Sequence, residues 1–174
     1  YLDGTFAPWP QTVLRYAQHA WIEATLLGDD IPQLRFANAM QFVSQRVNTR
    51  RLNKLFSSPY LSGMQVVNLA DLDMKCDSAL VIDLVGSPHL GKLRGLSIAG
   101  GRMDGLGLEL LALADSTRQL QWLDLSGNQL RKIDPLLQEG HLEELEELLM
   151  FANYLDMRAL QNLAKGNHLP GLRK

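Results

Sequence analysis

The sequence predicts an α/β solenoid, a coil of strand-and-helix units with parallel strands on its concave face and helices on its convex face. A leucine-rich phrase of eleven residues recurs along the chain at nearly constant spacing. Apolar residues at helical spacing follow each copy and return the chain along the convex side. An apolar helical stripe ahead of the first copy predicts an N-terminal helical cap.

One copy fits every position of the pattern L-x-x-L-x-L-x-x-N-x-L, since residues 120–130 read LQWLDLSGNQL. The copy at residues 145–155 differs only by a methionine at the third leucine. Side chains alternate along a strand, so the fourth and sixth residues of each copy point inward and their neighbours face the concave surface. Asn128 and Asn153 then lie where the chain leaves the strand, and their amides can bond backbone groups that the turn leaves unpaired.

Two earlier copies begin at Met64 and Leu93, with Leu72 and Gly101 in place of the asparagine, so we expect looser turns there. A further unit opens at Leu172. The first positions are 29, 27, 25 and 27 residues apart, which is the spacing of a regular repeat. The predicted complete units span residues 64–92, 93–119, 120–144 and 145–171.

A second column supports this register. A leucine lies three residues before the first position of four units, as Leu61, Leu90, Leu142 and Leu169. Thr117 is the only break in this column. Histidines recur one residue earlier, as His89, His141 and His168. Because three of the four histidines are explained as a repeat position, no metal site is expected.

With these phrases the chain resembles bacterial leucine-rich-repeat proteins of the ribonuclease-inhibitor-like class. SPHLGKLRGLSIAGG, LQWLDLSGNQL and GNHLPGLRK are similar to the S-P-H-L-x-x-L-R-x-L-D-L-S-x-N cadence of that class. The resemblance covers roughly residues 31–174 and is strongest from residue 88. It implies a leucine-rich-repeat solenoid and, usually, an interaction scaffold. It implies no activity, because a shared fold does not determine function.

Residues 31–63 fit less well and are best interpreted as a degenerate repeat. The phrase IPQLRF at residues 31–36 would open it, with Arg35 and Ala37 on the concave face. A convex helix from about residue 49 to residue 56 would follow, because the SSPYL that ends it parallels GSPHL further along. In the alternative interpretation, Asp30 caps a helix with Pro32 near its start that runs through Phe42.

Residues 1–30 are predicted to form the N-terminal cap helix and a linker. From about residue 10 to residue 27 the apolar residues lie near one helical stripe: Val13, Leu14, Ala17, Trp21, Ala24 and Leu27. The G-D-D at residues 28–30 then ends the helix. A solenoid needs its first core layer covered, so Trp9 and Trp21 are interpreted as packing residues.

The charge balance disfavours a general nucleic-acid or anionic-membrane surface. The formal net charge is −2, from 17 basic and 19 acidic side chains, and the isoelectric point is about 6.1. One basic and one acidic cluster are interpreted as solvated faces. Their members are Arg46, Arg50, Arg51 and Lys54, and Glu139, Glu143, Glu144, Glu146 and Glu147.

The single cysteine, Cys76, cannot form an internal disulfide, which favours a reducing compartment such as the cytoplasm without fixing it. No run of about 18 apolar residues is present, so no membrane span is expected. The chain opens at Tyr1, and an upstream leader would be compatible with that start.

Catalysis and cofactor binding are not expected. The sequence contains no G-x-S-x-G, H-E-x-x-H, C-x-x-C or Walker motif. The glycine-rich stretch at residues 99–107 lacks the G-x-G-x-x-G spacing, and the repeat register already explains its place between strand and helix. Cys76 has no histidine within ten residues, so a structural thiol is the simpler interpretation.

The concave strand positions carry the candidate binding residues. Large apolar side chains occur only toward the C-terminal end, where Trp122, Leu149 and Phe151 are predicted to face solvent. Asp124 and Glu147 lie beside them, and exposed aromatic residues flanked by charge are typical of interfaces. In the alternative, a further repeat or a C-terminal cap covers part of this patch.

The sequence therefore predicts a non-catalytic protein–protein interaction module or scaffold that holds a protein partner on its concave face. Two alternatives stay open at this point. The chain could be the recognition arm of a larger enzyme, or a structural subunit of a multi-protein assembly. The sequence does not specify the partner.

Overall fold

A computed structural model describes residues 21–23, 37–42, 49–70, 78–138, 141–165 and 169–173. These residues form a mixed α/β fold built on a parallel six-stranded sheet, in which the strands follow one another in sequence order. The strands are β1 (Trp21–Glu23), β2 (Ala39–Gln41), β3 (Val66–Asn68), β4 (Gly95–Ser97), β5 (Trp122–Asp124) and β6 (Glu147–Leu149).

Helices connect most of these strands. The α-helices are α1 (Thr49–Phe56), α2 (Ser78–Val85), α3 (Gly105–Leu113) and α4 (Met157–Ala164). Short 3₁₀ helices cover Pro59–Gly63, Asp115–Thr117 and Asp134–Leu137, and the last of these lies between β5 and β6. The predicted helix over residues 49–56 is confirmed by α1.

The core lies between the helices and one face of the sheet. The middle residue of each strand from β2 to β6 is buried in it: Met40, Val67, Leu96, Leu123 and Leu148. Leu84 and Leu111 cover this row from α2 and α3. The strand positions and the inward-pointing row predicted from the repeat spacing are therefore confirmed for β3 to β6.

The column of residues that lies three positions before each unit's first residue is also buried. It consists of Leu61, Leu90, Thr117, Leu142 and Leu169. The break at Thr117 is accommodated because its hydroxyl donates to the carbonyls of Leu111 and Ala114, at 2.7 Å each. A threonine can therefore replace leucine here without leaving an unpaired hydroxyl in the core.

The two asparagines bind adjoining turns together, as their positions predicted. The Asn128 amide donates to the carbonyls of Ile98 and Leu125, and its oxygen accepts from the Met103 N–H at 2.9 Å. Asn128 thus supplies the hydrogen bonds of the preceding turn, where Gly101 has no side chain. Asn153 does the same one unit later.

The degenerate repeat predicted at residues 31–63 begins later than the sequence predicted. The strand β2 starts at Ala39, and Ala37 is buried in the core instead of facing the concave surface. Ala37, Met40 and Phe42 therefore occupy the first, fourth and sixth positions of the leucine-rich phrase. The pattern did not locate this copy because alanine and methionine replace two of the leucines. The alternative helix through Phe42 is wrong for the same reason. The predicted opening at residues 31–36, with Arg35, lies outside the described residues.

The predicted cap helix is wrong at Trp21–Glu23, which form β1 and pair in parallel with β2. Without β1, the edge of β2 would leave its backbone N–H and carbonyl groups unpaired. Tryptophan and isoleucine are residue types that favour a strand at this position. The sheet thus continues across the predicted boundary between residues 30 and 31. The remainder of the predicted cap, with Trp9, lies outside the described residues.

The turns that follow the last three strands share a left-handed backbone, which gives a stability prediction. The φ angles are +73° at Gly100, +69° at Gly127 and +51° at Ala152. Only glycine adopts this region without a steric cost. We expect Ala152→Gly to raise the free energy of unfolding by about 1 kcal/mol and Gly127→Ala to lower it by about 1 kcal/mol. Urea denaturation of the two variants checks this, and a loss of stability in Ala152→Gly would contradict it.

Candidate partner-binding face

Two rows of side chains lie on the face of the sheet opposite the core, called here the outer face. The strand register aligns Ala39, Val66, Gly95, Trp122 and Glu147 in one row. It aligns Gln41, Asn68, Ser97, Asp124 and Leu149 in the other. All five predicted binding residues therefore belong to β5, to β6 or to the turn that follows β6.

Trp122 is not exposed as the sequence predicted; only 4% of its surface is accessible. It forms an apolar cluster with Ala39 and Val66, and Leu149 packs against this cluster. Gly95 lies between Trp122 and Val66 in the row and has no side chain, so the indole extends across it along the sheet. Trp122 is thus a packing residue beneath the candidate site and not a contact residue on its surface.

Asp124 has a structural role at the end of β5. One carboxylate oxygen accepts from the Ser126 N–H at 2.9 Å, and the other accepts from the Ser97 hydroxyl at 3.4 Å. Asn68 makes the same local bond at the end of β3, to the Ala70 N–H. Such side-chain bonds stabilise the departure from a strand. Asp124 is half-buried at the edge of the site.

Phe151 is the exposed aromatic residue that the sequence predicted, with 70% of its surface accessible. Hydrogen bonds fix the backbone of Phe151 at both its N–H and its carbonyl. The N–H donates to the Ser126 hydroxyl at 3.2 Å, and the carbonyl accepts from the Gly127 N–H at 2.7 Å. The ring is therefore presented to solvent from a fixed turn.

Leu149 and Glu147 complete the candidate site on β6, and both are half-buried. Glu147 pairs with Trp122 across the strands, and Leu149 pairs with Asp124. The structure thus brings the five predicted residues together. Phe151 projects from the site, three residues are partly accessible and Trp122 lies buried beneath them.

Sequence reasoning missed Tyr154 and Met157, which are as exposed as Phe151. Tyr154 follows Asn153 directly, where the two preceding units have Arg102 and Gln129. An aromatic residue at a position that is polar in other units was the signal that could have found it. Met157 starts α4 and had no comparable signal.

Within the described part of the chain, no group of three or more histidine, cysteine, aspartate or glutamate side chains could hold a metal ion. None of the helices described combines the length and the apolar character that a membrane crossing requires. Cys76 lies outside the described residues.

The chain matches no protein-family model, and neither a curated protein nor a solved structure is significantly similar to it.

Proposed function

We propose that the chain is a leucine-rich-repeat solenoid that acts as a non-catalytic protein-interaction module. Three features support the solenoid: parallel strands in sequence order, nearly constant spacing and asparagines that join successive turns. In this proposal the outer face of the sheet is the concave face. The sequence resemblance to bacterial leucine-rich-repeat proteins of the ribonuclease-inhibitor-like class agrees with it.

Binding is proposed at the C-terminal end of the concave face, and the exposure of Phe151 carries this proposal. A phenylalanine ring in water costs free energy that burial against a partner recovers, about 2 kcal/mol for the whole side chain. The fixed backbone around Phe151 means that little conformational freedom is lost on binding. Leu149 extends the apolar surface beside it.

The surrounding charge indicates the chemistry of the partner. Asp124, Glu146 and Glu147 are partly accessible near this end of the sheet, and Glu144 is exposed. Glu144 also forms an ion pair with Arg94, at 3.5 Å between Nη1 and Oε2. The matching surface is an apolar pocket with lysine or arginine at its rim, because complementary charge guides association. The proposal assigns no reaction to the chain.

The test is affinity capture from the cells that produce the protein, with the immobilised chain as bait. We expect one protein to be retained by the wild type and to be depleted about tenfold by Phe151→Ala, because an interface anchor contributes about 1–2 kcal/mol. Met157→Ala is the matched control, since this side chain is equally exposed but lies on α4. Equal retention by the wild type and Phe151→Ala would contradict the proposal.

A further inference from the structure

The helices α2 and α3 are apolar on both sides. Leu80, Val81 and Leu84 of α2 pack into the core, as do Leu108, Leu111 and Ala112 of α3. The opposite sides carry Ile82, Leu106 and Leu113, which are 52%, 55% and 41% exposed. A surface helix is usually polar on its solvent side, so apolar groups there mark a surface that something else covers.

These exposed residues belong to two neighbouring helices and form one strip. Leu106, Leu110 and Leu113 recur at spacings of four and three residues and so share a side of α3. Ile82 lies on the adjacent α2, and Leu110 is half-buried between core and solvent. Ile82, Leu106, Leu110 and Leu113 are called here the α2–α3 strip.

The charges around the strip are acidic. The only charged residues within α2 and α3 are Asp83 and Glu109, and neither forms an ion pair among the described residues. The neighbouring helix α1 has the opposite character: its sequence, TRRLNKLF, contains three basic residues and no acidic one. Its Lys54 is exposed. One side of the molecule thus presents a basic helix beside an apolar and acidic pair.

We propose that the α2–α3 strip is the interface of a homodimer with a two-fold axis that runs along α2. A two-fold axis in this direction reverses the order of the helices, so α1 of each copy lies over α3 of the other. The Ile82 side chains then meet at the axis, and Leu106 and Leu113 are buried. Lys54 faces Glu109 of the partner subunit, and the contact occurs twice.

The register of the sheet supports this pairing. Val66 aligns with Gly95 and Gly95 with Trp122, so equivalent residues of successive units are 29 and then 27 positions apart. By this spacing Lys54, Asp83 and Leu110 occupy equivalent positions on α1, α2 and α3. Glu109 precedes Leu110 by one residue on α3. Rotation about an axis parallel to the helices preserves height, so Lys54 and Glu109 of the partner subunit meet at the same level.

Such a dimer joins the two copies through their helices and leaves Phe151 and the C-terminal end of the outer face accessible. It is therefore independent of the binding proposed at Phe151. If both hold, the dimer presents two binding faces, and a partner with two sites would bind it more tightly than one copy alone.

Sedimentation velocity on the full chain tests the dimer over a concentration range from about 1 to 100 µM. We expect the wild type to shift with concentration from 19.5 kDa toward twice that mass. Ile82→Asp should keep the chain monomeric throughout. Monomeric wild-type protein at every concentration overturns the proposal, as does a dimer that Ile82→Asp leaves intact.

Charge reversal tests the orientation. Glu109→Lys and Lys54→Glu should each weaken the dimer about tenfold, because each places like charges together twice, and the double variant should return to within about threefold of the wild type. Glu143→Lys is the matched control, since it reverses an exposed acidic residue far from the strip. Failure of the double variant to recover, while both single variants dissociate, contradicts the Lys54–Glu109 pairing. Dissociation by Met157→Asp but not by Ile82→Asp places the interface at α4 and overturns the proposal.

Discussion

Replacing Trp122 by alanine is expected to lower the free energy of unfolding by about 3 kcal/mol. The indole is almost fully buried and joins β5 to Val66 and Ala39, two and three strands away. Its removal opens a cavity over Gly95, which has no side chain to fill it. Leu149 also loses the surface against which it packs.

Urea denaturation followed by circular dichroism measures this loss. Phe151→Ala is the matched control, because it removes an aromatic ring of comparable size from a solvent-exposed position and should change stability by less than about 0.5 kcal/mol. A loss below about 1 kcal/mol in Trp122→Ala would show that the indole is not part of the packing. Trp122→Phe should retain more of the stability than Trp122→Ala, since it refills part of the cavity.

Asn128→Ala is expected to cost about 3 kcal/mol of stability. Asn128 is completely buried, and its removal leaves the carbonyls of Ile98 and Leu125 without this donor and the Met103 N–H without its acceptor. Each buried polar group that loses its partner costs about 1–3 kcal/mol, and relaxation of the turn recovers part of the sum.

The same denaturation experiment applies to Asn128→Ala. Asn162→Ala is the control, since Asn162 lies on α4 and its one side-chain hydrogen bond to a described residue is long, at 3.5 Å to Asp134. A cost for Asn128→Ala as small as that of the control would mean that water replaces the amide and that the asparagines do not join the turns.

The regular part of the fold could be predicted from the sequence because its spacing is dictated by geometry. A strand buries every second residue, so the leucine phrase located β3 to β6 and their inward row without any tertiary information. Asn128 and Asn153 were equally predictable, since a side-chain amide can donate to carbonyls and accept from an N–H at the same turn. Phe151 followed from the same alternation.

The parts that could not be predicted depend on neighbours that are distant in sequence. Alternation placed Trp122 on the outer face, but whether an indole there projects or lies flat depends on Gly95 in the adjacent strand. The start of the first unit was hidden because Ala37 and Met40 replace leucines. The strand β1 forms where the edge of β2 requires a partner, although the local sequence favoured a helix.

The exposure of Ile82 and Leu106 could not be predicted from the sequence pattern either. Apart from Ser78, Asp83 and Glu109 both helices consist of apolar residues and glycine, so periodicity did not separate the side that faces the core from the side that faces solvent. Only the packing of α2 and α3 against the sheet separates the two sides.

Calorimetric titration of the captured partner into wild-type protein and into Phe151→Ala tests the proposed function most directly. We expect affinity about tenfold weaker for the variant, with its thermal midpoint unchanged, because the ring contacts the partner and not the core. Equal affinity for the two proteins would contradict binding at the C-terminal end of the concave face.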